Sequence, residues 1–141
     1  MLKVVLDTNV LVSAAISSQG NPALIFEMLI LGTIHNSTTP EIITEFEEVL
    51  QRPHIAKRLP PAKKDFILNM FKDISEIIIP DSKFQEVQED PDDDKFLECA
   101  VSAGADFIIS GDDHLLKIKE FRGIKILNPA EFVNLMNSKH F

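Results

Sequence analysis

Short apolar runs rich in β-branched residues alternate along the chain with stretches whose apolar residues recur every three or four positions. The runs are Leu2 to Leu6, a weaker one from Thr33 to Ser37, Glu76 to Ile79, Asp106 to Ile109 and Ile124 to Leu127. The helical patterns cover Val10 to Ile16, Pro22 to Leu31, Pro40 to Leu50, Pro61 to Lys72, Pro91 to Ala103, Asp113 to Ile118 and Pro129 to Met136. Strands that read as continuous apolar runs, separated by amphipathic helices, predict an α/β chain whose parallel sheet is covered by helices on both faces. Several of the helices open on proline, whose fixed φ suits the first helical position and whose missing N–H costs nothing there. No internal repeat, low-complexity segment or long linker divides the 141 residues, so one domain over 1–141 is expected.

Composition changes this picture little. A 45% hydrophobic content is ordinary for a folded chain. No apolar stretch approaches the roughly 20 residues that span a bilayer, and the start, Met1 to Asp7, turns acidic too soon for a signal peptide. The lone Cys99 has no partner for an internal disulfide, which suits a reducing compartment. A cytoplasmic protein away from membranes is expected.

Charge excludes more. At -8, the chain is a poor candidate for coating nucleic acid nonspecifically, because phosphate neutralisation needs clustered Lys and Arg. An enzyme whose carboxylates bind divalent metal escapes that objection, since the ions cancel or reverse the local charge. One stretch departs from the acidic background: Gln51 to Lys64 carries Arg52, Lys57, Arg58, Lys63 and Lys64 among Pro53, Pro60 and Pro61. It reads either as a contact for RNA phosphates or as a solvated connection between helices.

In an open parallel sheet ligands bind beyond the carboxyl ends of the strands, so acids there carry extra weight. Asp7 follows the first apolar run directly, and Asp112 follows Ile108-Ile109-Ser110-Gly111. Taken singly, each reads better as a cap on the next helix. The segment Asp90-Pro91-Asp92-Asp93-Asp94-Lys95-Phe96-Leu97 adds a third acid. At about 100° per residue, Asp93 lies on one stripe with Phe96, Leu97, Ala100 and Val101 and points inward, with Asp92 and Asp94 to either side, nearer the edge of the buried face. A carboxylate there is costly unless paired or bound to metal, so Asp93 is read as functional. In the helix from Glu41 to Leu50, which buries Ile42, Ile43, Phe46, Val49 and Leu50, Glu45 and Glu47 both flank the apolar stripe, and the pattern does not choose between them.

Other motifs fail. The run from Asp90 starts like a calcium loop, but Lys95 replaces the required glycine and Val101 the bidentate glutamate. There is no phosphate-binding glycine-rich loop, His35, His54, His114 and His140 are scattered, and no nucleophile elbow frames a serine.

Six short motifs in order resemble PIN domains, and more narrowly the VapC-like toxin components: Asp7-Thr8-Asn9-Val10-Leu11, Glu45, the Asp-Pro-Asp-Asp-Asp-Lys-Phe-Leu helix start, Ala103-Gly104-Ala105-Asp106, Ser110-Gly111-Asp112, and Ile126-Leu127-Asn128-Pro129-Ala130-Glu131-Phe132. The resemblance implies a three-layer α/β/α sandwich with strand order 3-2-1-4-5. It matches Asp7, Glu45, Asp93 and Asp112 to the family's four acids, and Asn9 and Ser110 to supporting polar positions. Ser110 stands where threonine is usual, and His114 where this subgroup often has aspartate. The implied activity is hydrolysis of RNA phosphodiester bonds with one or two Mg²⁺ or Mn²⁺ ions held by the four acids. The implied partners are RNA, a small antitoxin and a second copy in a homodimer. An RNA-processing nuclease without an antitoxin carries the same acids. A phosphoacceptor receiver domain would need a lysine at the end of the fifth strand, where Leu127-Asn128-Pro129 stands, and a non-catalytic binding module would be expected to have lost acids that are present here.

Overall fold

A computed structural model of the chain describes residues 1–81 and 94–138. In chain order these form β1 (Leu2–Leu6), α1 (Thr8–Ile16), α2 (Asn21–Ile30), β2 (Ile34–Thr38), α3 (Pro40–Leu50), α4 (Pro53–Ala56), α5 (Pro61–Ile74) and β3 (Ser75–Ile77). They continue with α6 (Asp94–Ala103), β4 (Phe107–Ile109), α7 (Asp113–Leu116), β5 (Glu120–Phe121), β6 (Ile124–Leu127) and α8 (Pro129–Ser138). The prolines that begin the helical patterns fall where predicted, in the first two positions of α2, α3 and α5.

The sheet runs β3-β2-β1-β4-β6-β5. The strands expected from the apolar runs are all parallel, in the expected order, with Ile124–Leu127 as the fifth. The expected 3-2-1-4-5 order needs one correction: β5 adds a short antiparallel edge strand against β6. Its hairpin turns on Arg122 (φ 51°) and Gly123 (φ 83°), the two positive φ values that a type I′ turn requires. The helix read as Asp113 to Ile118 stops at Leu116, which leaves chain for that strand, and α4 forms inside the stretch read as a connection.

Successive side chains of a strand point to opposite faces, so β1 feeds two cores. Val4 and Leu6 join Val10, Leu11, Ile25, Phe46, Phe71, Ile109 and Phe132 on one side, with Phe46 and Phe71 edge to face at 5.6 Å. Val5 joins Ile42, Phe96, Leu97, Ala100, Ile108 and Ile126 on the other. Ile42 and Phe46 of α3 thus reach both cores, which fixes that helix beside the carboxyl end of β1. The stripe expected on α6 is buried as predicted at Phe96, Leu97 and Ala100, but burial also extends to Asp94, Lys95 and Glu98. Asp94 at the edge of the buried face is therefore corrected to Asp94 within it. The reason is that α6 packs on β1, β2, β4 and α3 at once and has little free face.

Candidate active site

Asp7 begins the site because β1 ends there. Its backbone N–H donates to the carbonyl of Ile109 at 3.0 Å, extending the pairing of Leu6 with Ile109, so the loop after β4 lies beside it. The side chain is only 3% exposed. One oxygen accepts from the Asn9 backbone N–H at 3.3 Å and caps α1; the other accepts from the Ser110 hydroxyl at 2.6 Å. Ser110 Oγ in turn accepts from the Asp112 N–H at 2.9 Å, so one hydroxyl ties two acid-bearing loops together. Serine in place of the family's threonine supplies that hydroxyl fully. Asp112 caps α7, accepting from the His114 N–H at 2.7 Å, with the His114 ring Nδ1 3.7 Å from the same oxygen.

Capping and clustering are therefore compatible readings of both aspartates. Burial pushes the Asp7 carboxyl up, the Ser110 and Asn9 donors pull against that, and the Asp112 and Glu45 carboxylates add to the rise, which ends at about 6. Asp7 thus feels the charge of two acids that lie far from it in the chain.

Glu45 reaches the cluster from α3. One of its oxygens accepts from the Thr8 hydroxyl, and the other lies 2.9 Å from Lys95 Nζ on α6. Glu47, which the helical pattern left equal to Glu45, turns instead to Lys72 of α5 at 3.1 Å on the surface. Beside Glu45 opens a groove of about 450 Å³ lined by Pro40, Glu41, Thr44, Glu45, Glu48 and Lys95. Asn9 contributes its backbone N–H, while its side chain is exposed. Arg52, Lys57 and Arg58 are exposed around α4, outside the cluster. Asp93 lies outside the described residues.

Thr8 and Lys95 were not singled out from the sequence. A signal existed for the second: a lysine in the first turn of α6 opposes the helix dipole, which points to a carboxylate partner elsewhere. Two of the six motifs prove structural. Asn128 and Glu131 form a reciprocal cap on α8, each side-chain oxygen accepting from the other's backbone N–H at 2.8 and 2.9 Å. Gly104 (φ 67°) ends α6 in the left-handed conformation, and Asp106 accepts from the Lys3 N–H at 2.9 Å where β4 begins.

Among the described residues no three His, Cys, Asp or Glu side chains are drawn together as around a bound ion. The donor chemistry nevertheless fits a hard divalent cation. Carboxylate and hydroxyl oxygens meet at Asp7 and Ser110, and the charge of buried Asp7 is opposed by the Asp112 and Glu45 carboxylates, a repulsion that a cation would relieve.

The fold and the sequence both have relatives. PAE2754 from Pyrobaculum aerophilum has a crystal structure similar to 98% of this chain and 91% of its own, with a TM-score of 0.66 at 14% identity. VapBC2 from Rickettsia felis, bound to a DNA fragment from their promoter, gives a TM-score of 0.62 at 13% identity over 90% of this chain and 98% of its own. In sequence, the uncharacterized protein MJ1680 of Methanocaldococcus jannaschii is 36% identical, covering 94% of this chain and 90% of the relative. With the PIN domain pattern matching residues 3–114 as well, the chain belongs to the PIN domain family, whose members are typically nucleases.

Proposed function

We propose that the protein is a metal-dependent endoribonuclease, the toxin of a toxin–antitoxin pair, and that Asp7, Glu45, Asp93 and Asp112 form its metal-binding and catalytic set. The observation that carries the reading is Asp7: a carboxylate held at the carboxyl end of the central strand, bridged to Asp112 through Ser110 and repelled by Glu45. Nothing in the core requires an acid there, and a buried carboxylate without compensation is costly. Family membership supports a nuclease, and the fold shared with VapBC2 supports a VapC-like toxin with a small antitoxin partner; a homodimer is proposed with it.

One or two Mg²⁺ or Mn²⁺ ions, when bound, would activate water and stabilise the charge developing on phosphodiester oxygens. The chain's own contribution is placement. The Ser110 hydroxyl holds both the Asp7 carboxylate and the Asp112 backbone N–H, Thr8 and Lys95 fix the two oxygens of Glu45, and the Asn9 N–H at the cap of α1 holds the other oxygen of Asp7. Exposed Arg52, Lys57 and Arg58 follow α3 directly and are proposed to meet RNA phosphates.

The test is cleavage of a mixed RNA pool by the purified protein with Mn²⁺ or Mg²⁺, against EDTA and an Asp7→Asn control. Metal-dependent cleavage that disappears in the control is expected. Cleavage that survives Asp7→Asn would remove the site assignment, and inertness towards all RNA under either metal would remove the nuclease.

A further inference from the structure

Lys95 is an unexpected neighbour for acids that gather to hold divalent ions. It stands in the first turn of α6, where the helix dipole disfavours a cation, and it is 7% exposed. An ammonium so deeply placed needs charge compensation. Glu45 supplies it at 2.9 Å, and the Phe96 ring centroid lies 5.0 Å from the same nitrogen. Since the other Glu45 oxygen accepts from Thr8, the protein engages both oxygens of this carboxylate. A divalent ion binding Glu45 directly would have to sit beside that ammonium and against its positive charge. On the Asp7 and Asp112 side, by contrast, the closest partners are a hydroxyl and backbone N–H groups, neutral donors that carry no full charge to repel a metal.

We propose that Lys95 is the site's resident cation on the Glu45 side, a positioning residue that occupies the place of a second divalent ion, so that the substrate-free protein binds one ion, on the Asp7 and Asp112 side. This inference rests on the metal-nuclease reading above. Lys95 then keeps Glu45 aligned and leaves the site less negative than its acids alone would make it.

The experiment is titration of Mn²⁺ into the substrate-free protein, with free Mn²⁺ read by electron paramagnetic resonance. Wild type is expected to bind one equivalent. Lys95→Gln removes the charge while keeping an amide donor for Glu45, and is expected to bind a second equivalent. Lys95→Arg keeps the charge and should bind one. If the glutamine variant does not fold, Lys95→Met keeps the hydrocarbon stem beside Phe96 and carries the same expectation. A merely structural ion pair predicts the opposite, one weaker equivalent in the neutral variants because Glu45 is released, and that result overturns the proposal. Two equivalents in wild type would overturn it as well while leaving the nuclease reading intact. Absence of Mn²⁺ binding in every protein would remove the nuclease reading and this proposal with it.

Discussion

Asp7 shows how one residue serves the fold and the site at opposing cost. Its cap and its bond to Ser110 favour the fold, but burial and two carboxylate neighbours lift its pKa from 3.8 to about 6. With the folded value above the unfolded one, the native state binds the proton more tightly. The stability this provides is present below about pH 4 and is lost as pH rises through 6. A shift of that size corresponds to about 3 kcal/mol in the ion-free protein. Asp7→Asn removes the charge and keeps the shape, so in EDTA its stability should exceed that of wild type by up to about 3 kcal/mol near pH 7.5 and match it closely near pH 4. Urea unfolding of both proteins at the two pH values measures this directly; an advantage that does not grow with pH would mean Asp7 is not a strained acid. From sequence, position alone marked Asp7, since it ends an apolar run. Its strain was not legible, because the Ser110 and Glu45 neighbours come from distant segments.

At the level of elements, local chemistry announced itself and long-range partners did not. The runs located every parallel strand, most plainly β1 and β4, whose consecutive residues are buried, and less plainly the polar β2 and the largely exposed β3, while the N-terminal prolines located helix starts. The edge strand β5 escaped notice since Glu120-Phe121 is too short to show a period, and its turn is built on Arg122-Gly123 rather than the usual Asn-Gly or Asp-Gly. Helical phase leaves Glu45 and Glu47 equal and the family resemblance prefers Glu45; physically, α5, which offers Lys72 to Glu47, and α6, which offers Lys95 to Glu45, separate them. The motif around Asn128 illustrates the reverse confusion, a family signature that carries helix capping. Asn128→Ala should therefore destabilise the protein by about 1 kcal/mol, seen as a lower urea midpoint, with RNA cleavage unchanged below that midpoint. A large loss of cleavage in a well-folded Asn128→Ala protein would place α8 in the site after all.

For the whole molecule the governing fact is a net charge of -8, part of which gathers around the strained Asp7 at the carboxyl end of a central strand. Topology brings it there: β1 at the centre, β4 beside it and α3 on the same side gather Asp7, Asp112 and Glu45 at the carboxyl ends of the strands. An acidic protein gains some stability from any added salt, because screening weakens self-repulsion, so a rise in melting temperature with Mg²⁺ or Mn²⁺ proves nothing by itself. A site-specific ion behaves differently in two respects. It acts at concentrations too low to screen, reaching about 2.7 kcal/mol at 100 times its dissociation constant, on the order of 10 °C for a chain of this length. It also competes with the proton on Asp7, so the gain should be full near pH 7.5 and shrink as pH falls below about 6. Thermal melts with Mn²⁺ against Na⁺ at matched ionic strength, in wild type and Asp7→Asn, separate the two effects. The specific site predicts a Mn²⁺ increment that vanishes in Asp7→Asn and fades at low pH; an equal increment in both proteins would mean that the ion only screens the -8 charge.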